Sequence, residues 1–278
     1  MPQQHIRTPA VAGQFYPEDA TELTQLIKAQ LASAEDHEVS GSRILGGIVP
    51  HAGIRFSGEV AAHTYRSIQS IKPETVILIG PSHREYFPYI SVYSGDGFKT
   101  PLGTVPIDRD LRDKITSEGG IKSAKGGHGE EHALEVQIPF LQTIYTHDYS
   151  ILPVTMGDQS RENVELLAAV IGKYRTDKML VVSSSDLSHF YSARKAELMD
   201  NRFAELVESL EVDDLWNALD QHEIEACGFG PVLTLLTFAR ERGATKCEIL
   251  RYAHSGDVTG DTRRVVGYLA AIIREEIE

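Results

Sequence analysis

Three short apolar runs in this chain lead into histidine-bearing loops: Val49-Pro50-His51, Gly80-Pro81-Ser82-His83, and Ser183-Ser184-Ser185-Asp186-Leu187-Ser188-His189. Neutral imidazole is a common transition-metal ligand and a natural proton carrier near neutral pH. A loop on the end of a rigid strand fixes the direction of the ring and leaves room for a substrate. In an open parallel sheet the loops beyond the carboxyl ends of the strands share one edge, so His51, His83 and His189 are expected to meet in one crevice. The competing reading of each alone is a loop histidine satisfied by local hydrogen bonds.

Two further groups could join them. The stretch Gly126-Gly127-His128-Gly129-Glu130-Glu131-His132 has the H-x-x-E-H spacing of an inverted zinc-protease motif. Its three glycines oppose the helix that would put His128 and His132 on one face. A helix is expected instead from about Glu131 to Tyr145, kinked at Pro139, with His132 on its first turn and placed for acid or base work. Cys227 stands in Ala226-Cys227-Gly228-Phe229-Gly230-Pro231, just ahead of a helix. The partial positive charge of a helix N-terminus favours a thiolate, which is a ligand for iron, copper or zinc and also a nucleophile. A packed thiol beside two glycines is the alternative. Cys247 lies inside an apolar strand pattern and reads as core. His5, His37, His147 and His222 read as solvated surface, His63 as a packing residue on a helix, and His254 as the opening of a glycine-containing loop at 255–261.

The elements that must position these groups alternate in type. Apolar runs at Ile44–Val49, Thr75–Ile79, Ile151–Met156 and Met179–Ser183 predict strands. Cys247–Ala253 and Val265–Ile273 predict two closing strands. Helical spacing is read over Asp19–Ser33, Glu59–Ile68, a segment beginning near Ser160, and Val232–Arg242. Unbroken apolar strands separated by helices predict a largely parallel sheet covered on both faces. Ile90–Tyr93 and the Gly95-Asp96-Gly97 turn predict a local antiparallel excursion.

Composition bounds the partners. The 278 residues fit one large α/β domain, and Ser33–Arg43 is the only linker-like segment. With 27 basic against 40 acidic side chains the net charge is −13, which disfavours nucleic acid and anionic membrane surfaces. No apolar stretch approaches the ~20 residues a membrane helix needs, and no signal-peptide core is evident, so a cytoplasmic location is expected. Two cysteines are no disulfide framework.

Read in order, Pro9-Ala10-Val11-Ala12-Gly13-Gln14-Phe15-Tyr16-Pro17, Val49-Pro50-His51-Ala52-Gly53, Gly80-Pro81-Ser82-His83, Glu131-His132-Ala133-Leu134-Glu135, Ser185-Asp186-Leu187-Ser188-His189 and Ala226-Cys227-Gly228 resemble the Memo family, protein B of the AmmeMemoRadiSam system. The resemblance covers nearly the whole chain. That family is similar in fold to class III extradiol dioxygenases, non-haem iron enzymes that open catechol rings. The resemblance therefore implies a single αβα domain over residues 1–278, built on a central mainly parallel, mixed sheet. It also implies that His51, His83 and Cys227 are metal ligands, with Asp186 and His189 beside them and His132 nearby. The dioxygenases complete two histidines with a carboxylate where Cys227 stands here; the softer sulfur widens the candidate metal from iron to copper, with zinc a further candidate.

Three functions follow as expectations. The leading one is a metal-dependent oxidoreductase in which His189 or His132 moves protons and Asp186 orients a histidine. A second is a module that binds a peptide or small-molecule ligand, since family members are linked to signalling and phosphopeptide binding; Arg55 and Arg84 would supply its basic patch. The third is a zinc hydrolase. Radical SAM system proteins are implied as partners by the resemblance alone.

Overall fold

The computed structural model describes residues 4–35, 42–244 and 246–276. In chain order its elements begin with β1 (Ile6–Arg7), α1 (Ala20–Ser33), β2 (Ser42–Val49), α2 (Ile54–Ile68), β3 (Thr75–Pro81), β4 (Ile90–Tyr93), β5 (Gly97–Thr100) and β6 (Gly103–Pro106). They continue with α3 (Arg109–Ile115), β7 (Ile121–Ala124), α4 (Ile138–Ile144), β8 (Ser150–Met156), α5 (Arg161–Tyr174), β9 (Met179–Ser184) and β10 (His189–Tyr191). The last are α6 (Ala193–Glu208), α7 (Val212–Asp220), α8 (Phe229–Glu241), β11 (Lys246–His254), α9 (Ser255–Thr259) and β12 (Val265–Glu276).

The main sheet has the order β10-β12-β2-β9-β3-β8-β4-β7, with β11 also paired to β12. Its centre, β2-β9-β3-β8, is parallel throughout. The flanks are mixed: β12 runs antiparallel to β2 and β11, and β4 is antiparallel to β8 but parallel to β7. The sequence pattern explains the centre. Every residue of β3 is buried, with Val76 and Leu78 packed on one face and Ile77 and Ile79 on the other. Such a strand has no solvated face, which suits the interior of a parallel sheet. Helices α1, α2 and α4 cover the Val76 face, and α3, α5, α6, α7 and α8 cover the Ile77 face.

Capping explains two helix starts. Asp19 accepts from Thr21 and Glu22 backbone N–H groups at 2.9 Å, and Asp108 accepts from Leu111 at 2.9 Å. Close approach explains a glycine. A Cβ on Gly46 would run into the Val181 carbonyl of the neighbouring strand and the Leu235 side chain of α8. Bare backbone there lets the helix layer settle on β2.

Several sequence expectations are corrected. The helix expected over Glu131–Tyr145 is α4 alone, preceded by a single 3₁₀ turn at Glu135–Gln137, because the buried polar side chains of Glu131, Glu135 and Gln137 bind backbone groups in place of a regular helix start. Pro139 sits in the first turn of α4, where its missing N–H costs nothing, so it kinks no helix. Helix α2 begins five residues before Glu59, directly after Gly53. The antiparallel excursion expected around Ile90–Tyr93 and Gly95-Asp96-Gly97 is present, but in two sheets: β4 runs antiparallel to β8, and β5 runs antiparallel to β6 in a separate three-stranded sheet. The loop expected after His254 is the short helix α9. His5 and His222 are exposed, whereas His147 is half-buried with Nε2 3.0 Å from the Pro73 carbonyl; His37 lies outside the described residues.

Gly46→Ala is expected to lower stability by about 1–3 kcal/mol through overpacking between β2, β9 and α8. Urea denaturation with an unchanged m-value and a lowered midpoint is the expected result; an unchanged midpoint would show that the strand pair yields freely.

Candidate metal centre

His51 follows β2 and His83 follows β3, so both leave the sheet at the carboxyl edge on either side of β9. The third imidazole arrives from elsewhere. A turn at residues 131–134 lies across the end of β3, where a Cβ on Gly80 would meet Leu134 at 2.7 Å and Ala133 at 3.3 Å. This close crossing sets His132 beside His83. One ring nitrogen from each of His51, His83 and His132 lies within 4.8 Å of the others. The ring centroids are 5.0 Å apart for His51–His83, 5.5 Å for His51–His132 and 4.8 Å for His83–His132.

Two of the three rings are hydrogen-bonded from behind. Glu131 Oε1 accepts from His83 Nδ1 at 3.0 Å and from the backbone N–H groups of His132 and Ala133 at 2.9 Å. Its other oxygen accepts from the His83 backbone at 2.6 Å. His132 Nδ1 stands 3.4 Å from Glu131 Oε1, close enough for attraction but not for a good hydrogen bond. His51 Nδ1 lies 2.9 Å from Ser184 Oγ. Carboxylate or hydroxyl partners behind ligand histidines are the usual means of aiming the opposite nitrogen at a metal.

Burial decides the charge state. It drives the His51 pKa well below the free value, with the neighbouring His83, His132 and His189 rings adding to the effect. Burial likewise lowers His132 to about 4, against the opposing pull of Glu131. Two adjacent imidazoles are therefore neutral at physiological pH, the form that binds metals. Glu131 is kept below the ordinary glutamate value: burial opposes ionisation, and its bonds from His83 and Ala133 more than offset that.

Cys227, just ahead of α8, touches one of these rings, though among the described residues the cluster within 4.8 Å comprises the three imidazoles without it. Its Sγ is 3.1 Å from His51 Nε2, and its backbone N–H donates to the Asp186 carbonyl at 3.2 Å. Gly228 makes the approach feasible, since a side chain there would strike the Ser184 carbonyl and Ser185. The thiolate expected from the helix N-terminus is corrected: burial pushes the thiol pKa up, Asp186 pushes it further, and hydrogen bonds from its surroundings do not compensate. The metal-free sulfur is a neutral thiol.

Asp186 holds main chain, not a ring. Its Oδ1 accepts from His51 N at 2.7 Å and Ala52 N at 3.3 Å, and burial raises its pKa to about 6. His189 opens β10, half-buried, with its backbone donating to Glu225 at 3.2 Å and Nδ1 3.6 Å from the same carboxylate. Among the described residues it is not part of the compact imidazole triplet.

Four supporting residues carry no role in the sequence reading: Glu131, Glu135, Ser184 and Phe15. Phe15 packs on His132 with centroids 4.7 Å apart and accepts at its carbonyl from Ile54 N at 2.7 Å. Glu135, fully buried, accepts from Arg7 at 2.5 Å, Tyr16 at 2.5 Å, Ala10 N at 2.8 Å and Val11 N at 3.1 Å. The N-terminal segment is thereby clamped against the site. The sequence offers no hint of this pairing, because Glu135 and Arg7 stand 128 residues apart.

Glu131→Gln is expected to weaken zinc binding by about ten- to hundredfold, read by chelator competition, because the amide holds His83 less firmly; affinity equal to wild type would remove Glu131 from that role. The metal-free protein should also be acid-labile. His51, His128 and His132 have folded pKa values below 6.5, with His128 at about 3 and His132 at about 4, so the unfolded chain takes up protons first. Stability then falls as pH drops from 6.5 toward 4. Asp186, raised to about 6, and Asp200, also raised by burial, act in the opposite sense but are two groups against the three histidines. Urea midpoints should decline across that window, and His132→Gln should flatten the decline.

The model of the family described as "Memo-like protein" matches residues 7–272. The chain is 40% identical over 273 residues to a MEMO1 family protein of Methanosarcina barkeri, spanning 96% of this chain and all of that protein. It is 36% identical to one from Thermoplasma acidophilum and 37% to one from Aquifex aeolicus, each match covering 96% of this chain and 98% of the relative. A crystal structure of the uncharacterized protein JW3007 from Escherichia coli K12 shares the fold at a TM-score of 0.53 and 12% identity, covering 82% of this chain and 99% of that one. No helix among the described residues is long and apolar enough to cross a membrane. A family match over residues 7–272, with a relative 40% identical along its whole length, makes the chain a member of the Memo family.

Proposed function

We propose that this protein is a metal-dependent oxidoreductase of dioxygenase-like fold, with His51 and His83 as ligands of iron or copper and Cys227 and His132 beside them as further donors. The observation that carries this reading is the convergence of three imidazoles within 4.8 Å, with a sulfur 3.1 Å from one of them. Nitrogen donors with a soft sulfur suit iron, copper or zinc better than a hard, oxygen-seeking cation. The fit is also chemical: burial keeps both His51 and His132 neutral, the form in which a ring nitrogen ligates a metal.

A bound iron or copper ion supplies one-electron redox chemistry at the crevice. The chain's own residues do the rest. Glu131 and Ser184 aim the rings, and Asp186 fixes the His51–Ala52 backbone. Phe15 shields His132 from water. His189, paired with Glu225 and partly exposed, is the group suited to carrying a proton between the substrate and solvent.

Anaerobic reconstitution with ferrous and with cuprous ions, followed by metal analysis and oxygen-uptake measurements, tests the proposal. Wild type should hold metal stoichiometrically and consume oxygen when given reductant, and His51→Ala should lose both. Unchanged metal content in that variant would take His51 out of the ligand set. Tight metal binding with no oxygen consumption would favour zinc-type hydrolysis or a binding role.

A further inference from the structure

The hydrogen bonds behind His51 fix more than its position. Ser184 Oγ lies 2.8 Å from the Ala133 carbonyl oxygen, 3.0 Å from Gln137 Nε2 and 2.9 Å from His51 Nδ1. Two oxygens 2.8 Å apart need a proton between them, and a carbonyl has none to give. The Ser184 hydroxyl proton therefore points at Ala133. The Gln137 amide cannot reverse to change this, because its Nε2 also faces the Pro50 carbonyl at 2.9 Å while its Oε1 accepts from the Tyr65 hydroxyl at 2.8 Å. Ser184 has then spent its only donor, so toward His51 it can only accept.

We infer that Ser184 is a positioning residue that locks His51 as the Nδ1–H tautomer, leaving the lone pair on Nε2 directed into the cluster of His83, His132 and Cys227. Tyr65, Gln137, Ser184 and His51 are each at most 1% exposed, so no water competes for these bonds. The chain of contacts runs from α2 through the 3₁₀ turn and the end of β9 to the loop after β2, tying four segments to one proton position. In the metal-free protein the thiol of Cys227 faces the bare Nε2 at 3.1 Å and can donate to it, which agrees with this tautomer. The tautomer stands on geometry alone; its use in holding a metal rests on the function proposed above.

Long-range ¹⁵N–¹H correlation spectra of the metal-free wild type, at a pH above the imidazole range, test the assignment without any variant. The His51 signals are identified by their loss in His51→Gln. The expected pattern is a protonated Nδ1 and an unprotonated Nε2; the reverse pattern would overturn the inference. Ser184→Ala should populate the Nε2–H form and weaken zinc binding by about ten- to hundredfold. Ser184→Thr keeps the hydroxyl and should restore both. Ser184→Ala that folds, by circular dichroism, yet retains the Nδ1–H form and wild-type zinc affinity would equally refute the role. An Nδ1–H tautomer in a wild type that binds no zinc would support the lock and count against the metal reading, so the two ideas fail separately.

Discussion

The Glu131 carboxylate, 3% exposed, is the joint on which the centre depends. It links the loop after β3 to the turn at residues 131–134, two segments with no sheet pairing between them. A buried carboxylate is costly unless its oxygens are satisfied, and here both are, by one ring and three backbone N–H groups. Because those donors come from both segments, neither can move without leaving charge unpaired in a dry place. The spacing of His83 and His132 is a consequence of that constraint.

The same dryness sets the electrostatics. His51 and His132 are neutral because protonation would place charge next to other imidazoles in a desolvated pocket. Cys227 keeps its proton for the corresponding reason, with Asp186 close by. A cation entering the cluster would meet bare nitrogen lone pairs and a displaceable thiol proton, and would supply the positive charge that offsets a thiolate. Neutral donors without a counter-charge are what a largely desolvated site tolerates best.

A second buried carboxylate closes the site from above. Glu135 gathers Arg7, Tyr16 and two backbone N–H groups of the segment that carries Phe15. Arg7 also donates to the carbonyl oxygens of His128 and Glu131, so one guanidinium ties the N-terminal segment to the turn that bears His132. Breaking a buried pair of this kind typically costs about 3–5 kcal/mol, which makes the N-terminal segment part of the wall of the site and not a loose extension.

The sheet's parallel centre was legible from apolar runs alone, as were the loops bearing His51 and His83, because a strand buried on both faces must be unbroken in hydrophobicity and must end in a loop. The strongly polar stretch that forms α6 and α7 was not read as helix, since burial of only one stripe leaves little signal amid many charges. His132 is visible in the sequence as a reactive residue, but the helix expected to carry it begins only at Ile138, because local propensity knows nothing of Glu131 and Gln137 binding distant backbone. Residue types and their order thus determined which groups could do chemistry and on which edge of the sheet most of them lie. Their meeting within one crevice, the neutrality of the thiol, and the roles of Glu131 and Ser184 were decided by tertiary structure, through contacts between residues 48 to 176 positions apart and through desolvation, neither of which is a property of any local segment.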